Sequence, residues 1–270
     1  MFDLAALDTD LAGTVFAGKL HFVRSTGSTN SDAIAAARGD GQHIGAPHGS
    51  VYFADEQLAG RGRGDHGWIS VAGEGLYVSV LLRPQIPASR LALLPLAAGL
   101  AAAEAIRTAA SLTVDLRWPN DLLIGPRKAG GILIEALPPS KSLLHAMAVV
   151  GVGINVHQHA FPPGLATPAT SLDLEAGRAI SRQTLLVALL KSLECETQAL
   201  ADATAAKEIP ARVEQASTWI RGRNVHVHGP QSCTGVTAGL DENGFLRVAT
   251  AEGLVTVQTG GLREETASSR

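Results

Sequence analysis

Apolar positions recur along this chain in short bursts whose period changes several times. His21-Phe22-Val23-Arg24 alternates as a short strand. Ser28-Thr29-Asn30-Ser31-Asp32 then opens an alanine-rich run that predicts a helix to about Arg38, with Thr29 and Asp32 at capping-box spacing. Gly39 to Gly49 reads as loop. Ser50-Val51-Tyr52-Phe53-Ala54 and Leu76 to Leu82 read as strands, the second stopped by Pro84. A long apolar helix over about 91–107 follows, with Pro95 in its first turn. Val114 to Trp118 is strand-like up to Pro119. Gly131 to Ile134 and Ala148 to Val156 are apolar runs rich in branched residues. Proline and glycine thicken between 160 and 170, as in a surface loop.

Helical periodicity returns over about 183–203 and 207–217. Beyond Trp219 the chain changes to short strands with tight turns, and Asp241-Glu242-Asn243-Gly244 is a hairpin signal between two of them. These patterns predict an α+β main domain over 1–217, its strands interrupted by helices, and a small all-β module over 218–270.

Composition narrows the classes. The 270 residues leave room for one large unit plus a small one, and 46% hydrophobic against 17% charged residues describes a globular protein with a substantial core. A net charge of −3 gives no footprint for DNA or an anionic membrane. Cys195 and Cys233 form no CxxC pair, and Cys195 reads as a packed helical residue. The start lacks a basic n-region, and Leu91 to Ala103 is too short to span a bilayer. The expectation is a cytoplasmic, non-membrane protein.

Candidate chemistry gathers at three places. Gly60-Arg61-Gly62-Arg63-Gly64 follows a strand and the polar residues Asp55-Glu56-Gln57. Glycines let the backbone close on a ligand, and two arginines add fork-shaped donors suited to phosphate or carboxylate. Gly62 to Gly67 also matches G-x-G-x-x-G, but Trp68-Ile69-Ser70 follows where a dinucleotide fingerprint needs a helix.

Arg117-Trp118-Pro119-Asn120-Asp121 offers a donor–acceptor amide and a carboxylate able to hold Mg²⁺, or an ordinary turn with solvated charges. Lys128 precedes an apolar strand, which would hold its ammonium at the lip of a site. Gly151-Val152-Gly153-Ile154-Asn155 puts glycines inside a strand, marking either a close approach or simple packing. Trp68 and Trp118 could wall a site or fill the core, with Trp68 the better candidate for a wall because it ends the loop. His157/His159 and His226/His228 sit two apart, without the further ligands a metal site needs.

Taken in order, Ser28-Thr29-Asn30, Gln57 to Arg63, Arg117 to Asp121, Arg127 to Leu133 and Gly151 to Asn155 resemble the biotin protein ligase family, over about 21–156. The tail from about 218 to 263 looks like that family's SH3-like C-terminal domain. The resemblance implies a two-step ligation using biotin, ATP and Mg²⁺. Biotin becomes biotinyl-5′-adenylate, and a lysine of a biotin carboxyl carrier protein, in acetyl-CoA carboxylase or another biotin-dependent carboxylase, then takes the biotinyl group.

By the same resemblance Ser28, Thr29, Asn30, Gln57 and Gly131 match biotin contacts. Arg61, Gly62 and Arg63 match the loop that closes over the adenylate, and Lys128 the carboxylate–phosphate junction. Lys128, Arg61 and Arg63 are thus the expected catalytic set. Trp68, Asn120, Asp121 and Asn155 fall on the nucleotide side, with Asp121 also the expected Mg²⁺ ligand. Ser28 to Asn30 also suit a helix N-cap, and both uses can hold together.

Relatives often carry further basic residues where this chain has Gly64-Asp65-His66-Gly67, so Asp65 is expected to offset Arg63 and weaken adenylate retention. The stretch before His21 is too short for a three-helix DNA-binding domain, which implies a ligase without a repressor function. Two other readings stand beside this one: a lipoate or octanoate protein ligase or transferase, and a non-catalytic biotin sensor. An oligomer is compatible with the sequence.

Overall fold

The computed structural model describes residues 2–38, 45–64, 66–84, 86–137 and 147–265. A short helix, α1 (Leu4–Asp10), comes first. It is capped by Asp3, whose Oδ1 accepts from the Ala6 N–H, and it buries Leu7. Strand β1 (Leu20–Thr26), helix α2 (Thr29–Arg38) and strand β2 (Ser50–Gln57) form a crossover unit, with β1 and β2 parallel as such a connection allows. Strand β3 (Gly75–Leu82) is buried along its whole length.

A 3₁₀ turn over Ala88–Leu93 leads into α3 (Leu94–Ala110), whose first turn carries Pro95. Strands β4 (Asp115–Arg117), β5 (Asp121–Ile124), β6 (Arg127–Leu137) and β7 (Met147–Asn155) follow. Helices α4 (Leu172–Ala176), α5 (Arg182–Ala201) and α6 (Ala203–Gln215) precede the C-terminal strands β8 (Arg221–His228), β9 (Cys233–Leu240), β10 (Leu246–Thr250), β11 (Gly253–Val257) and β12 (Gly261–Glu264).

The first seven strands make one mixed sheet, in the order β1-β2-β3-β7-β6-β5-β4, and the last five an antiparallel sheet, in the order β11-β10-β9-β8-β12. The α+β class and the small all-β, SH3-like tail agree with the sequence pattern. Side chains alternate across the large sheet. Leu76, Val78, Val80 and Leu82 of β3, with Val150, Val152 and Ile154 of β7, join the main core with Ala97, Ala101 and Ala105 of α3 and with Leu186, Leu189 and Leu193 of α5. On the opposite face, α2 packs Ala33 and Ala37 with Leu81, Leu137 and Val149. The residues between these sets, Tyr77, Ser79, Gly151, Gly153, Gly131, Leu133 and Glu135, occupy the second face, and Tyr77, Gly131, Leu133, Gly151 and Gly153 line the site.

Several expectations need correcting. Thr29 and Asp32 form no capping box: the Asp32 carboxylate accepts from Thr26 Oγ1 at 2.7 Å, and the Thr29 hydroxyl turns to Gln57 and Ser79. The apolar run Leu91 to Ala103, expected to be too short for a bilayer, belongs to a continuous helical stretch, Arg90–Ala110, that by length and composition alone is long and apolar enough. Its α3 portion is nonetheless a core helix, buried on Leu94, Leu96, Ala97, Ala98, Ala101 and Ala105. Cys195 is exposed on α5.

Candidate active site

A cleft of about 580 Å³ opens on the second face of the large sheet. Its walls are the start of α2, the loop from Arg61 to Val71, the segment from Gln158 to Ala169 and the C-terminal residues Thr259–Arg263. Every expected site residue lines it: Ser28, Thr29, Asn30, Gln57, Arg61, Gly62, Arg63, Trp68, Asn120, Asp121, Lys128, Gly131 and Asn155. Strand register explains the floor. Gly131 pairs with Gly153 and Gly153 with Tyr77, while Leu133 pairs with Gly151 and Gly151 with Ser79. Two rows crossing the sheet are therefore stripped of side chains at their centre.

One end of the cleft is a hydrogen-bonded polar cluster. Ser28, Thr29 and Asn30 are buried. The Thr29 N–H and hydroxyl both donate to Gln57 Oε1, at 2.9 and 3.1 Å, and Gln57 Nε2 donates to Ser70 Oγ at 2.8 Å. Thr29 Oγ1 lies 2.7 Å from Ser79 Oγ, which donates to Asn30 Oδ1. Asn30 Nδ2 donates to Glu135 Oε2 at 2.7 Å, and the same oxygen accepts from Arg61 Nη2 at 2.7 Å. Ser79 and Glu135 were not foreseen. Their only signal is a polar residue inside an apolar strand, Leu76-Tyr77-Val78-Ser79-Val80 and Gly131-Ile132-Leu133-Ile134-Glu135.

The other end concentrates charge. Lys128 Nζ lies 2.5 Å from Asp121 Oδ1, and Arg117 Nη2 lies 2.7 Å from Asp121 Oδ2. Burial pushes the Asp121 carboxyl up, but Lys128 and Arg117 outweigh it and hold the group below the usual carboxylate range. The Lys128 ammonium also stands 5.4 Å from the Trp68 ring centroid. Main-chain bonds from Lys128 N–H to Pro168 O and from Thr170 N–H to Lys128 O clip the 158–170 segment onto the start of β6.

Asn120 Nδ2 donates to Ile132 O and Asn155 Nδ2 to Thr170 O, so both amides brace the walls. Trp68 covers Gly153, where a Cβ would meet the indole at 2.7 Å, and its buried Nε1 has no partner among the described residues. Trp118 is core rather than wall: it is buried and donates from Nε1 to Gly244 O.

The glycine-arginine loop folds back on itself through Trp68 N–H to Gly60 O and Gly62 N–H to His66 O, and no helix follows it. Arg63 donates to Gly260 O and to Thr259 Oγ1 of the small module. Burial lowers the pKa of its guanidinium from the ordinary arginine value, with Asp121 pulling it back up. Asp65, expected to offset Arg63, lies outside the described residues.

Asp121 does not fit a protein-held Mg²⁺ as its donor set stands. Both oxygens are engaged by cations, and among the described residues no group of three His, Cys, Asp or Glu side chains could hold a metal. The same holds for the histidine pairs. His157 Nδ1 lies 2.8 Å from Asp173 Oδ2, and His226 Nδ1 lies 3.1 Å from Thr234 Oγ1.

Comparison with known proteins gives a consistent relationship. Residues 23–155 match the model of the biotin/lipoate A/B protein ligase family. The biotin--[acetyl-CoA-carboxylase] ligase of Mycobacterium tuberculosis is 33% identical over 247 residues, covering 90% of this chain and 87% of that protein. The bifunctional ligase/repressor of Bacillus spizizenii is 32% identical over 225 residues, covering 80% of this chain. The match spans 66% of that protein's length, just under two thirds. Among solved structures, a biotin protein ligase from Aquifex aeolicus in complex with biotin and ATP superposes with a TM-score of 0.77 at 30% identity, covering 92% of this chain and 100% of that one.

Proposed function

The chain belongs to the biotin protein ligase family, and on that premise we propose that it activates biotin with ATP as biotinyl-5′-adenylate. It then passes the biotinyl group to a lysine of a biotin carboxyl carrier protein, in acetyl-CoA carboxylase or another biotin-dependent carboxylase. The observation that carries this reading is one cleft joining a polar cluster, a glycine floor, a lysine and two loop arginines. Its expected location is the cytoplasm, where ATP and the carrier meet.

The chemistry follows from the cleft. The ureido ring of biotin offers two N–H donors and a carbonyl acceptor. The Thr29 and Ser79 hydroxyls donate to Gln57 Oε1 and Asn30 Oδ1, which leaves their oxygens as acceptors for the ureido N–H groups. The ring system lies beside the Trp68 indole, which itself seats on Gly153 and reaches Gly131, and the carboxylate is directed toward Lys128.

In the first step a carboxylate oxygen attacks the α-phosphorus of ATP, the new O–P bond forms and pyrophosphate leaves. Both reactants are anionic, so fixed positive charge at the junction lowers the barrier most in a water-excluded cleft. Lys128, steadied by Asp121, supplies it, with Arg61 and Arg63 closing over the phosphate. In the second step the carrier amine attacks the anhydride carbonyl, a C–N bond forms, AMP leaves with the bonding pair and the amine loses a proton.

Mg²⁺ enters with ATP, as part of the substrate, and no step is assigned to a metal on Asp121. On this reading 1–217 is the catalytic unit and 218–270 the module whose Thr259-Gly260 turn steadies the loop. The test is biotin-dependent exchange of labelled pyrophosphate into ATP, with lipoate and octanoate in parallel. Exchange with biotin alone is expected. Exchange with lipoate or octanoate instead, or biotin binding without exchange, would overturn the proposal.

A further inference from the structure

We propose that Glu135 is a positioning residue that fastens the glycine-arginine loop to the polar end of the cleft, so that ligand contacts at Asn30 and the placement of Arg61 are set by one carboxylate. The inference rests on the biotin reading of that end of the cleft. It starts from connectivity. Ser70, Gln57, Thr29, Ser79, Asn30, Glu135 and Arg61 form an unbroken chain of polar contacts. The chain begins at the far end of the loop, crosses the sheet beneath the cleft and returns to the loop at Arg61. Gln57 and Ser70 also face each other as an isolated antiparallel bridge, and so do Arg61 and Gly67. The loop is therefore pinned at both ends to the cluster that would read the ureido ring.

Glu135 is the link that cannot be replaced by a neutral acceptor without loss. One oxygen, Oε2, takes both the Asn30 amide and the Arg61 guanidinium at 2.7 Å. The first bond fixes the rotamer of Asn30, leaving its Oδ1 to Ser79. The second holds a long, 41% exposed side chain that would otherwise sweep the mouth of the cleft. Register makes this possible. Glu135 lies two residues beyond Leu133, the partner of Gly151, and so stays on the floor face. The missing side chain at Gly151 is what lets Asn30 reach across to it.

Two substitutions separate the two bonds. Glu135→Gln keeps an acceptor for Asn30 and removes the charge that holds Arg61. Glu135→Ala removes both. In limited trypsin digestion of the full chain without ligand, Glu135→Gln should be cut after Arg61 roughly three to five times faster than the unmutated protein, the release expected of a partly exposed ion pair. Its calorimetric affinity for biotin should stay within about twofold, while escape of preformed biotinyl-adenylate accelerates by a factor similar to the cleavage. Glu135→Ala should also weaken biotin binding roughly tenfold, as for a buried amide left unpaired, and Gln should rescue that loss.

Wild-type cleavage rates in Glu135→Gln, or equal biotin affinities in the two variants, would overturn the proposal. So would tighter ATP binding by Glu135→Gln, which would mean that the carboxylate merely parks Arg61. The trypsin readout needs no ligand. Faster cleavage in a protein that fails to exchange pyrophosphate would uphold the fastening and reject the biotin reading.

Discussion

Replacing Gly151 by alanine tests whether the glycine-rich floor exists for a close approach. The backbone there is not in the left-handed region, so any penalty comes from the new methyl group. A Cβ at 151 would lie 2.2 Å from Asn30 Oδ1, 2.9 Å from Cγ and 3.0 Å from Nδ2. Reaching an ordinary contact distance forces the Asn30 amide back by more than an ångström. Asn30 is only 5% exposed and sits in the first turn of α2, so the movement must break its bonds to Ser79 and Glu135.

Two buried hydrogen bonds are worth about 1 kcal/mol each. Overpacking a closed site adds about 1–3 kcal/mol. A loss of roughly 3–5 kcal/mol should appear in urea unfolding as a lower midpoint with unchanged slope. Biotin affinity, measured by calorimetry on the folded variant, should fall on the order of 10- to 100-fold if Asn30 contacts the ligand, since about 1.4 kcal/mol corresponds to each tenfold. Stability within about 0.5 kcal/mol of the parent, together with unchanged binding, would refute the reasoning. The glycine would then be there for packing alone.

Lys128→Ala should leave the fold intact, because its main-chain bonds to Pro168 and Thr170 remain, yet slow pyrophosphate exchange by roughly 10²–10³; an unchanged exchange rate would remove the lysine from the junction. Arg63→Gly should cut the loop from Thr259 and Gly260 and let the adenylate escape, read as labelling of lysines outside the cognate carrier site. Labelling confined to that site would count against it. The Asp121 carboxyl has a pKa depressed in the folded state, so its stabilising contribution is full above the ordinary carboxylate value and lost as pH falls through the folded value. The stability gap between the parent and Asp121→Asn should therefore close below about pH 4. A gap that stays constant from neutral to acid pH would contradict the ion-pair account.

What the sequence revealed and what it hid divide along physical lines. Strands β3 and β7 were legible because burial on both faces demands unbroken apolar, branched runs. Helix α1 and strand β5 were not, being seven and four residues long and held by tertiary neighbours rather than by their own periodicity. At the site, the loop arginines, Lys128 and the glycines could be read because each residue type has few other reasons to stand at such a spacing. Ser79 and Glu135 could not. A polar residue in an apolar strand says nothing of its partner until register sets which face it takes and what lies across from it. The segment from Gln158 to Ala169 has no periodicity, and its main-chain clip to Lys128 and the Arg117 bond to Thr167 make it a wall.

The small C-terminal module is structurally committed to the cleft. Trp118, next to the charged end, donates to Gly244 in the β9–β10 hairpin. Arg117, which holds Asp121, lies 5.1 Å from the centroid of Trp219, and Arg223 lies 4.4 Å from the same ring. Glu214 at the end of α6 accepts from the Leu240 N–H and from Arg221. Arg63 reaches the turn between β11 and β12. The ion pair that positions Lys128 and the loop that closes the cleft are thus anchored through different contacts to the same module. Disturbing the module would loosen the Arg117–Asp121–Lys128 group and the Arg63 tether together. The polar cluster at 28–30, which rests on β2, β3 and β6, would keep its geometry. Ligand recognition and charge placement therefore rest on different supports in this fold, and Glu135 and the Gln57–Ser70 bond are among the ties that join the loop back to the sheet.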